Sequence, residues 1–467
     1  MQLHKYFTRR TSLISLTIVL ASAVSALSFT AQPSALHFGN LAATQTAKPT
    51  VDPASLITEF EVNGLKVLVK KRASSQTVAA GLFIRGGSRN ITAENAGIEE
   101  LMLDLSSEAS ANYPREKMRS ELASMGSTIS SGSNNDYSVL SLACTRSNFD
   151  HSWDIFTDVI LSPSFAKDDF DRVKSQVVTA RQGEDDVPDS LLQEMQAHVA
   201  YVGHPYINDA HGTVESLSRI TLDDIKRYHK QMMETSRLLM VIVGDLDARQ
   251  IQKRVAEAFD KLPKGNYQDS PIKQLSFNAA TVDVTPRNLP TNYVQGIFAA
   301  PALTSPDIYP MRVAIAILRD RVFQEVRVKR NLSYAPNAFL GNQGANTGGI
   351  YVTAVDANQS VKVMLNEISR LQNEPISPDD ITGIAQQYLT EYYLGQETNA
   401  AQAGELATYE LIGGGWKNSL GTIDRLRAVT PGDVQRVART YMKNMRFVVI
   451  GNPNSVDKAV FTAQSSE

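Results

Sequence analysis

The chain has 467 residues, 42% of them hydrophobic and 20% charged, an ordinary globular composition that is too long for one typical domain. With 46 Lys and Arg against 49 Asp and Glu, the formal charge of −3 gives no electrostatic footprint for nucleic acid or an anionic membrane. A single cysteine, Cys144, excludes an intramolecular disulfide framework, a thiolate zinc cluster and a CxxC redox centre, so folding rests on core burial.

Lys5, Arg9 and Arg10 precede an apolar stretch from Leu13 to Ala26, the pattern of a secretory signal over residues 1–26. Val24-Ser25-Ala26 supplies small residues for cleavage before Leu27, and Ala21-Ser22-Ala23 and Phe29-Thr30-Ala31 offer the same pattern. An uncleaved anchor is the other reading, for which the stretch is short. No cysteine follows it, which excludes a lipoprotein, and no later segment is apolar for the length of a membrane span. The expected product is exported, most simply to a periplasm, and mildly acidic once the three basic residues are removed. Residues 27–53, rich in Ala, Thr, Ser, Gln and Pro, read as a flexible tether.

Folded sequence starts near Leu56. Phe60 to Val69 alternates around Asn63-Gly64, a hairpin signal, and Thr77 to Ile84 reads as a strand ending at Gly86-Gly87. A helix follows Gly97. Tyr113 to Met125, Phe149 to Ile160, Asp168 to Gln182 and Asp189 to Val199 show helical spacing, and Asp136 to Cys144 alternates as a strand. The run Gly212-Thr213-Val214-Glu215-Ser216-Leu217-Ser218-Arg219-Ile220-Thr221 then returns as Gly421-Thr422-Ile423-Asp424-Arg425-Leu426-Arg427-Ala428-Val429-Thr430. Its register persists through Asp224 and Asp433, then Arg227 and Arg436, and each copy runs through a helix into an apolar strand, Val241–Gly244 and Val448–Gly451. Two homologous domains follow. Their expected extents are 54–265 and 291–461, with a linker over 266–290, where Pro271 and Pro286 interrupt periodicity, and a tail over 462–467.

Several short motifs resemble the pitrilysin or insulinase metallopeptidases, a family that includes the mitochondrial processing peptidase and the core subunits of the cytochrome bc1 complex. They are Gly86-Gly87-Ser88-Arg89, Gly97 opening a helix, Tyr113-Pro114-Arg115-Glu116, Met125-Gly126-Ser127, Gly203-His204-Pro205-Tyr206, and Arg327 through Leu332-Ser333-Tyr334. Their order and spacing along Leu56 to Phe461, with the duplicated half, carry the resemblance. It implies an α+β fold of two similar domains, each a mostly antiparallel sheet covered by helices on one face, clasping a cavity.

The family's catalytic apparatus is an H-x-x-E-H motif on that first helix plus a distal glutamate. Two histidines at i and i+4 share a helix face, the glutamate activates water, and the distal carboxylate completes the zinc site. The matching positions here read Glu100-Leu101-Met102-Leu103-Asp104, and the distal glutamate falls on Arg181. Glu100 and Asp104 are carboxylates on one face, and hard ions accept oxygen ligands. Leu103 supplies no base, however, and Arg181 repels a cation, so the expectation is a solvated helix face with no metal. His198, His204 and His211 lack the spacing of a two-ligand helix turn, and His204 reads as structural.

In catalytic members an Arg and a Tyr seven residues later, in the C-terminal half, hold the substrate backbone and help stabilise the tetrahedral intermediate; Arg327 and Tyr334 keep that spacing. On residue chemistry alone, Arg327 pairing with a neighbouring carboxylate and Tyr334 packing in a strand is the plainer outcome, while the resemblance implies substrate contact. The glycine-rich loop that the processing peptidase's non-catalytic subunit carries before this segment is absent, which disfavours a presequence-binding role. The glycines at 341, 344, 348, 349 and 413–415 read as turns or hinges, since no GK[ST] follows them. The profile implied is a non-catalytic, substrate-binding subunit of an exported heterodimeric peptidase. A homologous partner would supply zinc and the general base, and this chain would have no cofactor and no activity alone. A scaffold of the same fold is the alternative.

Overall fold

In the computed structural model residues 52–184 and 186–463 are described; the expected export signal, and the tether as far as Val51, lie outside them. Asn63 and Gly64, at φ of 47° and 86°, close the turn between β1 (Ile57–Val62) and β2 (Leu65–Lys71), as the hairpin signal requires. With β3 (Thr77–Arg85), β4 (Thr128–Ser133), β5 (Tyr137–Thr145) and β6 (Leu238–Gly244) they form a six-stranded sheet, ordered β1-β2-β6-β3-β5-β4. β2 and β6 run parallel and the other pairs antiparallel.

A second sheet takes β7 (Thr281–Pro286), β8 (Asn292–Ala299), β9 (Asn337–Leu340), β10 (Thr347–Ala354) and β11 (Arg446–Gly451) in the order β7-β11-β8-β10-β9. Here β7 and β11 are the parallel neighbours. The stretch expected as a linker therefore contributes a strand: a partner strand rescues a segment whose local pattern is weak. Gly348 and Gly349, expected in a turn, lie inside β10, where a Cβ would stand 2.6 Å from the Phe298 ring and 2.3 Å from the Gly296 carbonyl oxygen.

The sequence repeat is a structural repeat. Val214–Arg219 and Leu222–Met232 lead into β6, as Thr422–Arg427 and Pro431–Tyr441 lead into β11. Thr221 and Thr430 cap the longer helices through the same reciprocal box, each hydroxyl accepting from the backbone N–H of Asp224 or Asp433 at 3.2 Å.

Side chains alternate across the strands. On β6, Leu238, Met240 and Ile242 join the core beneath the first half's own helices, Ile98–Ser106 and Phe149–Leu161 among them, while Leu239, Val241 and Val243 point the other way. That second face is also covered, by Ala403, Leu406 and Ala407 of the Asn399–Ile412 helix and by Trp416, all from the second half. Reciprocally, Leu191 and Leu192 of the Pro188–Ala200 helix, from the first half, cover Val448 and Ile450 of β11. The expectation of one helix-covered face per sheet is corrected: each half lends a helix to the other's outer face. A buried polar contact joins the halves as well, with Tyr206 donating to Asp136 and the Gly344 N–H donating to the same carboxylate at 3.1 Å. Burial pushes the Asp136 carboxyl up. A cavity of about 1370 Å³ lies within the second half, beside the Ala357–Asn373 and Pro431–Tyr441 helices.

Candidate functional site

The Ile98–Ser106 helix starts at Gly97, whose φ is 85°. A Cβ there would meet both the Gly212 Cα and the His211 carbonyl oxygen at 2.8 Å, and Gly212 itself has a φ of 80°. Two glycines thus let the segment carrying Asp209 and His211 close onto the helix N-terminus. Leu101, Met102 and Leu105 face the core. Glu99 is buried, where it pairs with Arg237 just before β6 and accepts from the Ser138 hydroxyl of β5 at 2.6 Å and the Tyr228 hydroxyl of the Leu222–Met232 helix at 2.7 Å. This ion pair anchors the helix.

The remaining face carries Glu100 and Asp104. It is not the solvated face expected: both residues are half-buried, Glu100 pairs with the Nδ1 of His211, and Asp104 accepts from the Ser131 hydroxyl on β4. Burial holds the Asp104 carboxyl above its ordinary range against the opposing Ser131 bond. The bond to Glu100 raises the His211 imidazole, burial opposing. Arg181, on the Lys167–Glu184 helix, bonds Glu184 at 2.5 Å and Asp209 at 2.6 Å. Asp209 also accepts from the His211 backbone N–H at 2.9 Å. Glu100, His211, Asp209 and Arg181 therefore form one charge-compensated group.

These residues do not fit a zinc ion. Leu103 is buried carbon, Arg181 brings a cation to the same cluster, and the carboxylates are already satisfied by His211, Ser131 and Arg181. Among the described residues no group of three or more His, Cys, Asp or Glu side chains is arranged to hold a metal. Spacing did not reveal Asp209, His211 and Ser131 as members of this site, because His211 stands 111 residues from its partner. The Gly97 and Gly212 pair is the signal that could have found them. His204 is structural, its Nδ1 accepting from the Tyr206 N–H at 3.2 Å and its Nε2 lying 3.0 Å from the Lys273 carbonyl oxygen.

Arg327 and Tyr334 come together in the second half. The Ile308–Val322 helix runs on into a π-helical turn, Phe323–Val328, a wide-turn geometry concentrated at functional positions. Val322 and Val326 point into the core, while Phe323, Arg327 and Val328 lie outside. Arg327 Nη1 donates to the Tyr334 carbonyl oxygen at 3.0 Å, and its guanidinium lies 5.2 Å from the Phe323 ring centre and 5.5 Å from that of Tyr334. Glu325 is committed elsewhere: it bonds Lys329 at 2.6 Å and also Arg330, and these contacts hold its carboxyl down at about 2. Neither plainer outcome occurs. No carboxylate among the described residues pairs with Arg327, and Tyr334 is 79% exposed rather than packed in a strand. The pair presents a guanidinium and a phenol to solvent, the donors that a peptide carbonyl accepts.

Two family models match the chain: "Insulinase (Peptidase family M16)" over residues 66–213 and "Peptidase M16 inactive domain" over 219–388. An uncharacterized zinc protease of Streptomyces coelicolor is 21% identical, the match covering 80% of this chain and 85% of that one. The mitochondrial-processing peptidase subunit beta of Blastocladiella emersonii is 22% identical, with 83% and 87% covered. The crystal structure of a peptidase M16 inactive domain from Pseudomonas fluorescens superposes with a TM-score of 0.78 at 18% identity, over 85% of this chain and 98% of the other. The chain has the fold of the insulinase, or M16, metallopeptidases, with an insulinase-type segment followed by an inactive-domain-type segment.

Proposed function

We propose that this chain is the non-catalytic, substrate-binding subunit of an exported two-chain M16 peptidase. Its homologous partner carries the zinc, the metal ligands and the general base. This chain contributes Arg327 and Tyr334 as donors to the bound peptide and half of the enclosing chamber. The observation that carries the reading is a contrast: Glu100 and Asp104, which the resemblance matches to the metal motif, are taken up by internal pairs, whereas the Arg327 guanidinium, alone among the cations at 327, 329 and 330, has no carboxylate partner among the described residues. Export rests on Lys5, Arg9, Arg10 and the apolar stretch after them. No helix among the described residues is long and apolar enough to cross a membrane.

The test is reconstitution with the zinc-bearing partner and a quenched fluorescent peptide. Neither chain alone should hydrolyse it and the mixture should. Removing one preorganised donor to a developing oxyanion lowers turnover by about a hundredfold or more. Arg327→Ala and Tyr334→Phe should therefore depress kcat on that order while leaving the complex intact by size-exclusion chromatography. Full turnover in both variants would leave the chain as a scaffold of the same fold.

A further inference from the structure

The carboxylate that holds a surface arginine in place is absent at Arg327, and aromatic rings take over that task. The guanidinium sits within cation–π range of Phe323 on one side of the sequence and Tyr334 on the other. One of its five N–H donors is satisfied by the Tyr334 carbonyl. Phe323 is 37% exposed, although the core positions of the same turn, Val322 and Val326, are closed to solvent. The ring is not fully drawn into the core, and it lies against the Arg327 guanidinium. A four-torsion side chain on an open surface otherwise samples many directions, and a donor assists a developing charge only if it is already aimed.

From this geometry we infer that Phe323 is a positioning residue for Arg327: its ring fixes the direction of the guanidinium before substrate arrives. The inference rests on the reading of Arg327 as a donor to bound peptide. Tyr334 shares the stack but also supplies the accepting carbonyl and an exposed phenol, so its substitution changes several things at once. Phe323 changes one. Its ring also borders a pocket of about 270 Å³ with Ala316, Ile384 and Tyr388. Phe323→Leu there keeps an apolar side chain, and Phe323→Tyr has room for its hydroxyl.

Two readouts separate the inference from the reading beneath it. In the isolated chain, the Arg327 Nε–Hε resonance, assigned by its loss in Arg327→Ala, should carry a ring-current shift that Phe323→Leu reduces to the part left by Tyr334 and Phe323→Tyr retains in full. In the complex with the zinc-bearing partner, Phe323→Leu should lower kcat about two- to fivefold, the span of an exposed cation–π contact. Phe323→Tyr should restore it, and Phe323→Leu should have no further effect on an Arg327→Ala background. An Arg327 resonance indifferent to Phe323→Leu overturns the inference, as does an equal loss of kcat on the Arg327→Ala background. If Arg327→Ala alone leaves turnover intact, the substrate-binding reading fails, and the resonance decides the stack by itself.

Discussion

Glu100 and His211 pair on the helix face that the sequence resemblance matches to the family's metal motif, and their chemistry can be followed by titration. The bond to Glu100 raises His211 above the ordinary value of about 6.5. A folded-state pKa above the unfolded one makes the stabilisation of this contact fully present below about pH 6.5, and it fades as pH rises through the raised value. NMR titration should place the His211 midpoint above 6.5, and Glu100→Gln should bring it down. A midpoint unmoved by that substitution would dismiss the pair. The His211 side chain is 50% exposed, so the effect on global stability is small and weakens with salt. The absence of an H-x-x-E-H run was legible from the identities at 100–104. The compensation was not: Arg181 reaches Asp209 across 28 residues and Glu100 reaches His211 across 111, separations at which no local pattern operates.

The repeated capping boxes set the ends of equivalent helices. Thr221 and Asp224 start Leu222–Met232, and Thr430 and Asp433 start Pro431–Tyr441. Thr221→Ala and Thr430→Ala should each lower stability by about 1 kcal/mol at neutral pH. With no shared hydrogen-bond partner, the double variant should show close to the sum. The threonine bonds hold Asp224 and Asp433 below the ordinary carboxylate range. A depressed folded pKa contributes stability that is present above about 3.8 and lost as pH falls through the lowered value, so the penalty of each substitution should shrink in acid. Thermal melts at pH 7 and near pH 2.5 measure both effects, and an unchanged Tm at pH 7 would remove the caps from the account. These elements were readable because the run from Gly212 to Thr221 returns at Gly421 to Thr430. The π-helical turn was not readable, since Phe323–Val328 continues a helix by composition and the widening is decided by which residues the core accepts, Val322 and Val326, and which it leaves outside.

At the scale of the molecule, each half depends on a helix from the other. Without Asn399–Ile412, the first sheet exposes Leu68, Leu239, Val241 and Val243, each fully buried in the whole chain. Each such burial is worth roughly 1.5–3 kcal/mol, and an open apolar face of this kind drives association. Residues 52–265 expressed alone should aggregate or bind an apolar dye strongly, and co-expression with 266–463 should restore a soluble, dye-silent pair. A monomeric, dye-silent first half would contradict the exchange.

The amino-acid sequence by itself determined the internal repeat, the first hairpin, the helix-then-strand ending of each half and the absence of an H-x-x-E-H run after Gly97, because these depend on residue identity and short-range spacing. Only the tertiary structure decided that β7 joins the second sheet, that both faces of β6 and β11 are covered, and that Glu100, Asp104 and Arg181 are paired within the chain. The physical reason is the same in each case. A buried polar or apolar group must find a partner, and whether that partner is His211, Asp209, β11 or a helix of the other half is settled by the closing of the whole chain rather than by the residues beside it.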